Sequence, residues 1–526
     1  MSNMTHWADI HAEKVIRAKG DREVYSCASG ITPSGTVHIG NFREIISVEL
    51  IVRALRERGK EVRFIYSWDD YDVFRKVPKN VPRPEEWERY LRMPITLVPD
   101  PWERAENYAR SNEEELEKLL PVVGVEPRYI YQAEEYRSSR YAEGIRRALE
   151  HRELIRGILN RHRTEPLPAE WFPISIFSNF TNRDTTTVLA WDGEWGVTYR
   201  CEESGKEETV DLRESSAVKL LWRIDWPMRW AEEGVDFEPA GKDHHSEGGS
   251  FDTAKEIVRE VYGAEPPVTF QYDFIRIKGR GGKISSSSGE VVDLAEVLSV
   301  YQPEIVRYLF VSTKPNSEFA ISFDLDVIKI YEDYDRTERV YFGIDEVGEK
   351  KREKERRVYE LSQVGRVPTT PPLQFAFRHL CNLLLIHAGD IEAALDAYPG
   401  GNALAEEGRA RGRVRAKCAW TWITTYAPED FRFTLRAPEE GAIELDTAMR
   451  EVVVELRRRL EAEYEERDEK GIQELVYEVR KGCGLEPNEI FPDMYEILVG
   501  KEKGPRLGGF IKTIGKERVL SLLRQY

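Results

Sequence analysis

Apolar residues near the start of the chain change their spacing twice. "EVYSCASG" (Glu23–Gly30) mixes β-branched, aromatic and small residues and closes on glycine, which predicts a strand. Ile45, Val48, Ile51, Val52 and Leu55 then recur on one helix face, and "RERGK" ends the run with basic residues and Gly59 as a C′ glycine. "EVRFIYSWDD" (Glu61–Asp70) predicts a second strand that ends in carboxylates. Strand, glycine loop, helix and strand make a βαβ unit with a right-handed crossover.

From about Val77 to Glu214 the pattern turns to prolines, acidic helical stretches such as "RSNEEELEKLLPVVG", and a β-like section around "TTTVLAWDGEWGVTYRCEESGKEETVDLR". This reads as an insertion between two halves of a Rossmann-type fold. The second half resumes near "AVKLLWRIDWPMRW" and runs to "VTFQYDFIRIKGRGGKISSSSGEVVD". From about Tyr331 the chain reads as amphipathic helices, with a charged run "GEKKREKERRVYEL" and a linker "GRVPTTPPL". No internal repeat stands out at a fixed period. The expected architecture is α/β: a parallel-sheet catalytic domain with an inserted subdomain, then an all-α C-terminal domain. Its segments are 1–76, 77–214, 215–282, 283–330 and 331–526.

Composition narrows the class. With 526 residues, 41% hydrophobic and 11% aromatic, the chain has material for two to four packed domains and is not a disordered polymer. No run of apolar residues is long enough to span a bilayer, and the first twenty residues lack a signal-peptide core, so the expected address is cytoplasmic. The five cysteines, Cys27, Cys201, Cys381, Cys418 and Cys483, form no CxxC pair and read as buried thiols. A net charge of −17 argues against an indiscriminate coat on nucleic acid. It does not exclude a local basic face, and "RFIYSWDDYDVFRKVPK" and "GKEKGPRLGGFIK" concentrate positive charge.

Four stretches carry candidate chemistry. In "GITPSGTVHIGNFREI", Gly35 and Gly40 let backbone approach a phosphate, and the helix starting near His38 points its positive end there. The competing reading is an ordinary strand–helix turn with a buried histidine. "IKGRGGKISSSSGEVVD" puts Lys278, Arg280 and Lys283 in a glycine- and serine-rich segment suited to pyrophosphate, or else to a solvated loop. In "PAGKDHHSEGGSFD", Gly241 and Asp243 suit a ribose, while His244 and His245, adjacent on an extended loop, point apart and make a poor metal pair. In "LLWRIDWPMRW" the tryptophans fill a core or line a small-molecule pocket.

In this order the stretches resemble the class I aminoacyl-tRNA synthetases, with "HIGN" (His38–Asn41) and "KISSS" (Lys283–Ser287) as the two signatures. The longer stretches "SGITPSGTVHIGNFRE", "WDDYDVFRKVP", "WRIDWPMRW", "GKDHHSEGGS" and "LVGKEKGPRLGGFI" are similar to the class I lysyl-tRNA synthetases over nearly the whole chain. The resemblance implies ATP with Mg2+, L-lysine and tRNA(Lys) as reactants, a stem-contact segment after the second signature, and a helical anticodon-binding domain. It implies His38, Asn41, Lys283 and Ser286 at the reacting phosphates. ATP would be bound by Gly35, Gly40, Gly241, Asp243, Lys283, Ser285, Ser286 and Ser287, and lysine by Gly30, Thr32, Trp222, His244 and Tyr272. Asn41 and Ser286 depart from the broad class I pattern but are usual in the lysyl subfamily.

Archaeal members carry zinc ligands in the insertion. Here "PDPWERAENYARSN" and "WFPISIFSNFTNRD" hold no cysteine or histidine, and "YRCEESG" keeps only Cys201, so the insertion is expected to fold without zinc. Two rivals are a glutamate-specific class I enzyme and a catalytically silent tRNA-binding relative. A glutamate pocket needs a cation near the first signature, and "YSCASGITPSG" has no arginine. A lysine ammonium needs acids, and Asp69, Asp70, Asp72 and Asp225 lie in stretches expected to border the pocket.

Overall fold

The computed structural model describes residues 6–79, 81–278 and 291–526. The second signature, with Lys283, Ser285, Ser286 and Ser287, lies outside them. The chain divides into two compact units: 1–297 with 303–321 and 346–367, and 298–302 with 322–345 and 368–526.

The first unit opens with α1 (Trp7–Lys19), β1 (Tyr25–Ile31), α2 (Ile39–Arg56) and β2 (Val62–Trp68). The strands pair in parallel from Tyr25 opposite Val62 to Ile31 opposite Trp68, as the βαβ reading requires. Residues 25–29 of β1 are all buried, the mark of a strand covered on both faces. Gly59 has φ +73°, a value a Cβ disfavours, so α2 stops there.

The insertion contributes α3 (Tyr108–Glu117), β3 (Arg128–Tyr131), α4 (Gln132–Arg137), α5 (Ala142–Glu150) and α6 (Arg152–Asn160). β3 returns to the parallel sheet beside β2. The β-like section forms β4 (Ile174–Ile176) and an antiparallel meander of β5 (Thr186–Trp191), β6 (Gly196–Cys201) and β7 (Glu207–Asp211). β8 (Val218–Leu220) pairs antiparallel with β4. Tyr199, Val197, Ile176, Leu220 and Cys201 share one apolar core with α5 and α6.

The sheet is completed by α7 (Trp222–Glu233), β9 (Ala240–Gly241), α8 (Ser250–Glu260), β10 (Gln271–Tyr272) and β11 (Ile275–Ile277). Ahead of β9, Phe237 bridges Cys27 of β1 on one side and Val268 on the other, both in parallel. β9 then pairs in parallel with β10. The strand order runs from β3 through β2 and β1 to the β9 and β10 segments, with the chain direction of winding reversing beside β1. In open α/β sheets the crevice at such a switch point, beyond the carboxyl ends of the strands, is where ligands bind. α9 (Leu294–Val300) follows, then α10 (Pro303–Val311), β12 (Phe319–Ile321), α11 (Asp326–Tyr341) and α12 (Glu349–Ser362).

Every element from α11 onward is helical among the described residues. In the second unit α11 is joined by α13 (Phe377–Ile386), α14 (Ile391–Ala397), α15 (Glu406–Thr425), α16 (Thr447–Glu463), α17 (Glu469–Gly482), α18 (Pro487–Val499), α19 (Leu507–Ile514) and α20 (Lys516–Leu523). Arg415 of α15 is buried and forks onto Asp335 of α11 at 2.7 and 2.9 Å, while its Nε donates to Gln302. No helix among the described residues is long and apolar enough to cross a membrane.

Candidate active site

The strand-to-helix turn after β1 is built by its own side chains. His38 caps α2: its Nδ1 accepts from the Asn41 N–H at 3.3 Å. An accepting Nδ1 leaves the imidazole proton on Nε2, the nitrogen that can donate to a phosphate oxygen. A Cβ on Gly40 would stand 2.9 Å from the His38 ring, so the close turn needs glycine. The loop before it is held from the insertion: Tyr108 donates to the Ser34 carbonyl at 2.9 Å and Asn112 to the Pro33 carbonyl at 3.4 Å.

Beyond the carboxyl ends of β1, β2 and the β9 segment lie two adjoining cavities. The outer one, about 430 Å3, is lined by Gly30, Thr32, Asn41, Asp69, Asp72, Trp222, Asp225, His244 and Tyr272 among others. The inner one, about 80 Å3, is lined by β1, β2, α7 and the stretch before β9. Gly30, Glu44, Asp69, Trp222 and His244 face both. All five residues expected to bind lysine, together with Asn41, therefore meet around one space. His38, Gly35, Gly40, Gly241 and Asp243 do not line it; they sit on the turns beside it.

Each wall has a physical reason. Gly30 is required because a Cβ would come 2.6 Å from the Ser67 carbonyl of the neighbouring strand. Trp222 begins α7, is 41% exposed, and stacks on Trp226 with centroids 5.1 Å apart. It is a wall, while Trp226 and Trp230, 6% and 2% exposed, fill the core behind it. The His244–His245 pair is not on an extended loop as expected but in a 3-10 turn, Lys242–His245. The turn still separates the rings: His244 Nδ1 meets Ser250 Oγ at 2.6 Å beside Trp226, while His245 packs on Phe251. Tyr272 donates to Glu44, whose other oxygen accepts from the Gly30 N–H at 3.1 Å.

Of the four acids the sequence singles out, Asp69, Asp72 and Asp225 line the outer cavity and Asp70 does not. Asp70 is buried, accepts from the Ala133 N–H at 2.8 Å, and lines neither cavity. Asp72 is forked to Arg75 at 2.9 Å. Asp69 and Asp225 share the buried guanidinium of Arg229, and Tyr136 donates to Asp225. Two glutamates were missed. Burial pushes the Glu44 carboxyl up to about 8, with Glu238 and Asp69 adding to the shift. Burial likewise pushes Glu238 to about 7 despite hydrogen bonds from the indoles of Trp226 at 3.1 Å and Trp230 at 2.5 Å. Two further acceptors of the inner cavity, Ser29 Oγ and Gln132 Oε1, have no hydrogen-bond partner among the described residues. The inner cavity is rich in acceptors, and Arg229, which borders it, is already engaged by two carboxylates and Ser67. Glu44 was discoverable, since it follows Asn41 by three residues on the signature helix; Glu238, Ser29 and Gln132 are joined to it only by the sheet.

Among the described residues no group of three or more His, Cys, Asp or Glu side chains could hold a metal. The Cys201 Sγ instead lies 3.8 Å from Thr181 Oγ1, and hydroxyls of Ser178, Ser204 and Thr181 outweigh burial to hold the thiol down at about 6.

Along its length the chain is similar to known proteins. The family model for tRNA synthetases class I (K) matches residues 5–365. The lysine–tRNA ligase of Borreliella burgdorferi is 51% identical over 521 residues, covering 99% of both chains. That of Treponema pallidum is 50% identical over 526 residues, covering 99% of this chain and 98% of its own. That of Pyrococcus furiosus is 41% identical over 529 residues, covering 99% of both.

Proposed function

Because the chain belongs to the class I tRNA synthetases (K), we propose that the paired cavities activate L-lysine with ATP and pass the lysyl group to tRNA(Lys). The observation that carries the choice of lysine is the inner cavity, where Glu44, Glu238, Ser29 and Gln132 offer acceptors to a group that only donates. An alkylammonium is that group. Its methylenes run along Trp222, and its charge relieves two carboxyls whose ionisation burial opposes. A glutamate side chain would instead face acids, with Arg229 already committed.

In this reading the substrate carboxylate lies in the outer cavity with the α-phosphorus of ATP, near Thr32, Asn41 and the cations Arg75 and Lys219. His38, Gly35 and Gly40 serve the phosphates, and Gly241 and Asp243 the ribose. Lys283 with Ser285, Ser286 and Ser287 serves the leaving pyrophosphate. Mg2+ enters with the nucleotide, held mainly by its phosphates. The bond formed joins the lysine carboxylate to the α-phosphorus, and the bond to pyrophosphate breaks; the terminal adenosine of the tRNA then takes the lysyl group. This is catalysis by positioning and charge stabilisation. The helical second unit serves as the anticodon-binding part.

ATP–pyrophosphate exchange tests the reading. Lysine supports exchange and glutamate does not, with or without tRNA; exchange that is equal with the two amino acids, or absent with lysine, refutes it.

A further inference from the structure

The signature helix carries a second charged residue that none of the motifs assigns. Arg43 of α2 is 2% exposed. Its guanidinium is engaged by backbone carbonyls of two separate segments. Nη1 donates to Asp273 at 2.6 Å and Phe274 at 3.1 Å; Nη2 donates to Lys314 at 3.1 Å and Ser317 at 2.7 Å. The guanidinium rests over the Phe319 ring, 5.2 Å from its centroid. The carboxylate of Asp273 turns elsewhere, 3.6 Å from Lys242. A planar fork with donors on both sides fits two pairs of carbonyls; an ammonium does not.

The two segments are the approaches to one ribbon. β11 and β12 pair in parallel, from Ile275 opposite Phe319 to Ile277 opposite Ile321, and the Lys278 N–H extends the ladder to the Ile321 carbonyl at 2.9 Å. Arg43 grips both strands just before they pair. On the same helix, one turn earlier, the Ile39 N–H donates to the Val292 carbonyl at 2.8 Å and His38 bridges Asp293. The chain entering residues 279–290 and the chain leaving them are thus both fastened to α2.

We propose that Arg43 is a positioning residue for adenylate formation, fixing the β11–β12 ribbon, and with it the backbone at Lys278, against the helix that presents His38 and Asn41. This rests on the aminoacyl-adenylate reading above. Tyr272, next to the clamped Asp273, has two further anchors of its own in Glu44 and β9, so the clamp is expected to bear on turnover more than on lysine binding. Loss of the clamp therefore separates turnover from lysine binding.

The test is pyrophosphate exchange by the full chain carrying Arg43→Lys, with Phe319→Ala as a second variant that keeps the guanidinium and removes the ring beneath it. The expected result for Arg43→Lys is kcat reduced about tenfold or more with the KM for lysine within about twofold, and Phe319→Ala shows the same split at smaller size. Wild-type kcat in folded Arg43→Lys overturns the proposal, as does a KM for lysine that rises in step with the fall in kcat. If Arg43→Lys does not fold, Phe319→Ala decides by the same criteria. A wild-type chain that gives no lysine-dependent exchange would instead overturn the underlying reaction.

Discussion

Lysine binding is expected to expel a proton from the protein. In the empty cavity Glu44 titrates at about 8 and its neighbour Glu238 at about 7, because burial penalises both charges. The other charged and titratable groups lining the two cavities are Tyr66, Asp69, Asp72, Arg75, Lys219, Asp225, Arg229, Glu233, His244 and Tyr272, and Arg229 is already shared between Asp69 and Asp225. At pH 7 a carboxyl that titrates near 8 is roughly 90% protonated, so an ammonium seated against it displaces roughly 0.9 proton. The sign follows: affinity rises with pH up to the empty-site value. If the bound ammonium drives that carboxyl's titration far below 6, the dissociation constant for lysine weakens roughly 50-fold from pH 8 to pH 6. Titration calorimetry in buffers of different ionisation enthalpy reads the proton directly. Glu44→Gln is the control: it loses affinity at pH 8 and most of the pH dependence, with the residue left by Glu238. The two carboxyls are coupled, so the assay reports the pair. A wild-type dissociation constant that is flat from pH 6 to 8, with no buffer-dependent heat, refutes the placement of the ammonium.

The same carboxyl affects stability in the lysine-free protein. A folded-state value of about 8 against an ordinary 4.5 means its contribution is full below 4.5 and is lost as pH rises toward 8. Thermal unfolding should therefore show Glu44→Gln gaining on wild type across that window, by at most about 5 kcal/mol; a constant difference between the two contradicts the shift. Trp222→Ala should raise the KM for lysine about tenfold with little change in melting temperature, since the residue is 41% exposed and forms a wall; an unchanged KM in the folded variant counts against that wall. His38→Ala should cost about 1 kcal/mol of stability as a lost helix cap, and by the phosphate role reduce exchange kcat by about two orders of magnitude. Stability loss with kcat intact would leave His38 as a cap alone. Elemental analysis of chelator-treated protein should find no stoichiometric zinc and no change in melting temperature on chelation; a metal whose removal melts the insertion refutes its apolar-core account.

The first βαβ unit was legible because its information is local. The switch from strand to helix spacing, the glycine at φ +73° and the histidine cap all act within a few residues of one another. The meander of β5, β6 and β7 was legible only as an irregular β-like section; its three strands and antiparallel pairing belong to the structure. The five residues proposed to bind lysine, Gly30, Thr32, Trp222, His244 and Tyr272, were reached through resemblance, and the fold brings them to one cavity. The acids were legible in part: Asp69, Asp72 and Asp225 reach the outer cavity, while Asp70, just past the end of β2, turns to the Ala133 N–H, and Glu44 and Glu238 were not singled out. Asp69 alone of the three faces both cavities.

By itself, then, the sequence indicated the first βαβ unit, a change of pattern near residue 77, and residues whose chemistry suits phosphate and a small substrate; that β3, within 77–214, returns to the parallel sheet beside β2 was decided by the fold. Tertiary structure decided which charges meet. Glu44 and Glu238 lie on either side of the whole 77–214 stretch, and only the parallel pairing of β1 with the Phe237 segment brings them to one chamber. Arg43 looks like any cation on a helix until its four carbonyl partners, more than two hundred residues away in the chain, are folded against it. The physical reason is the same in both cases. Burial and partner choice set the energy of a charged group, and neither exists until the sheet has closed.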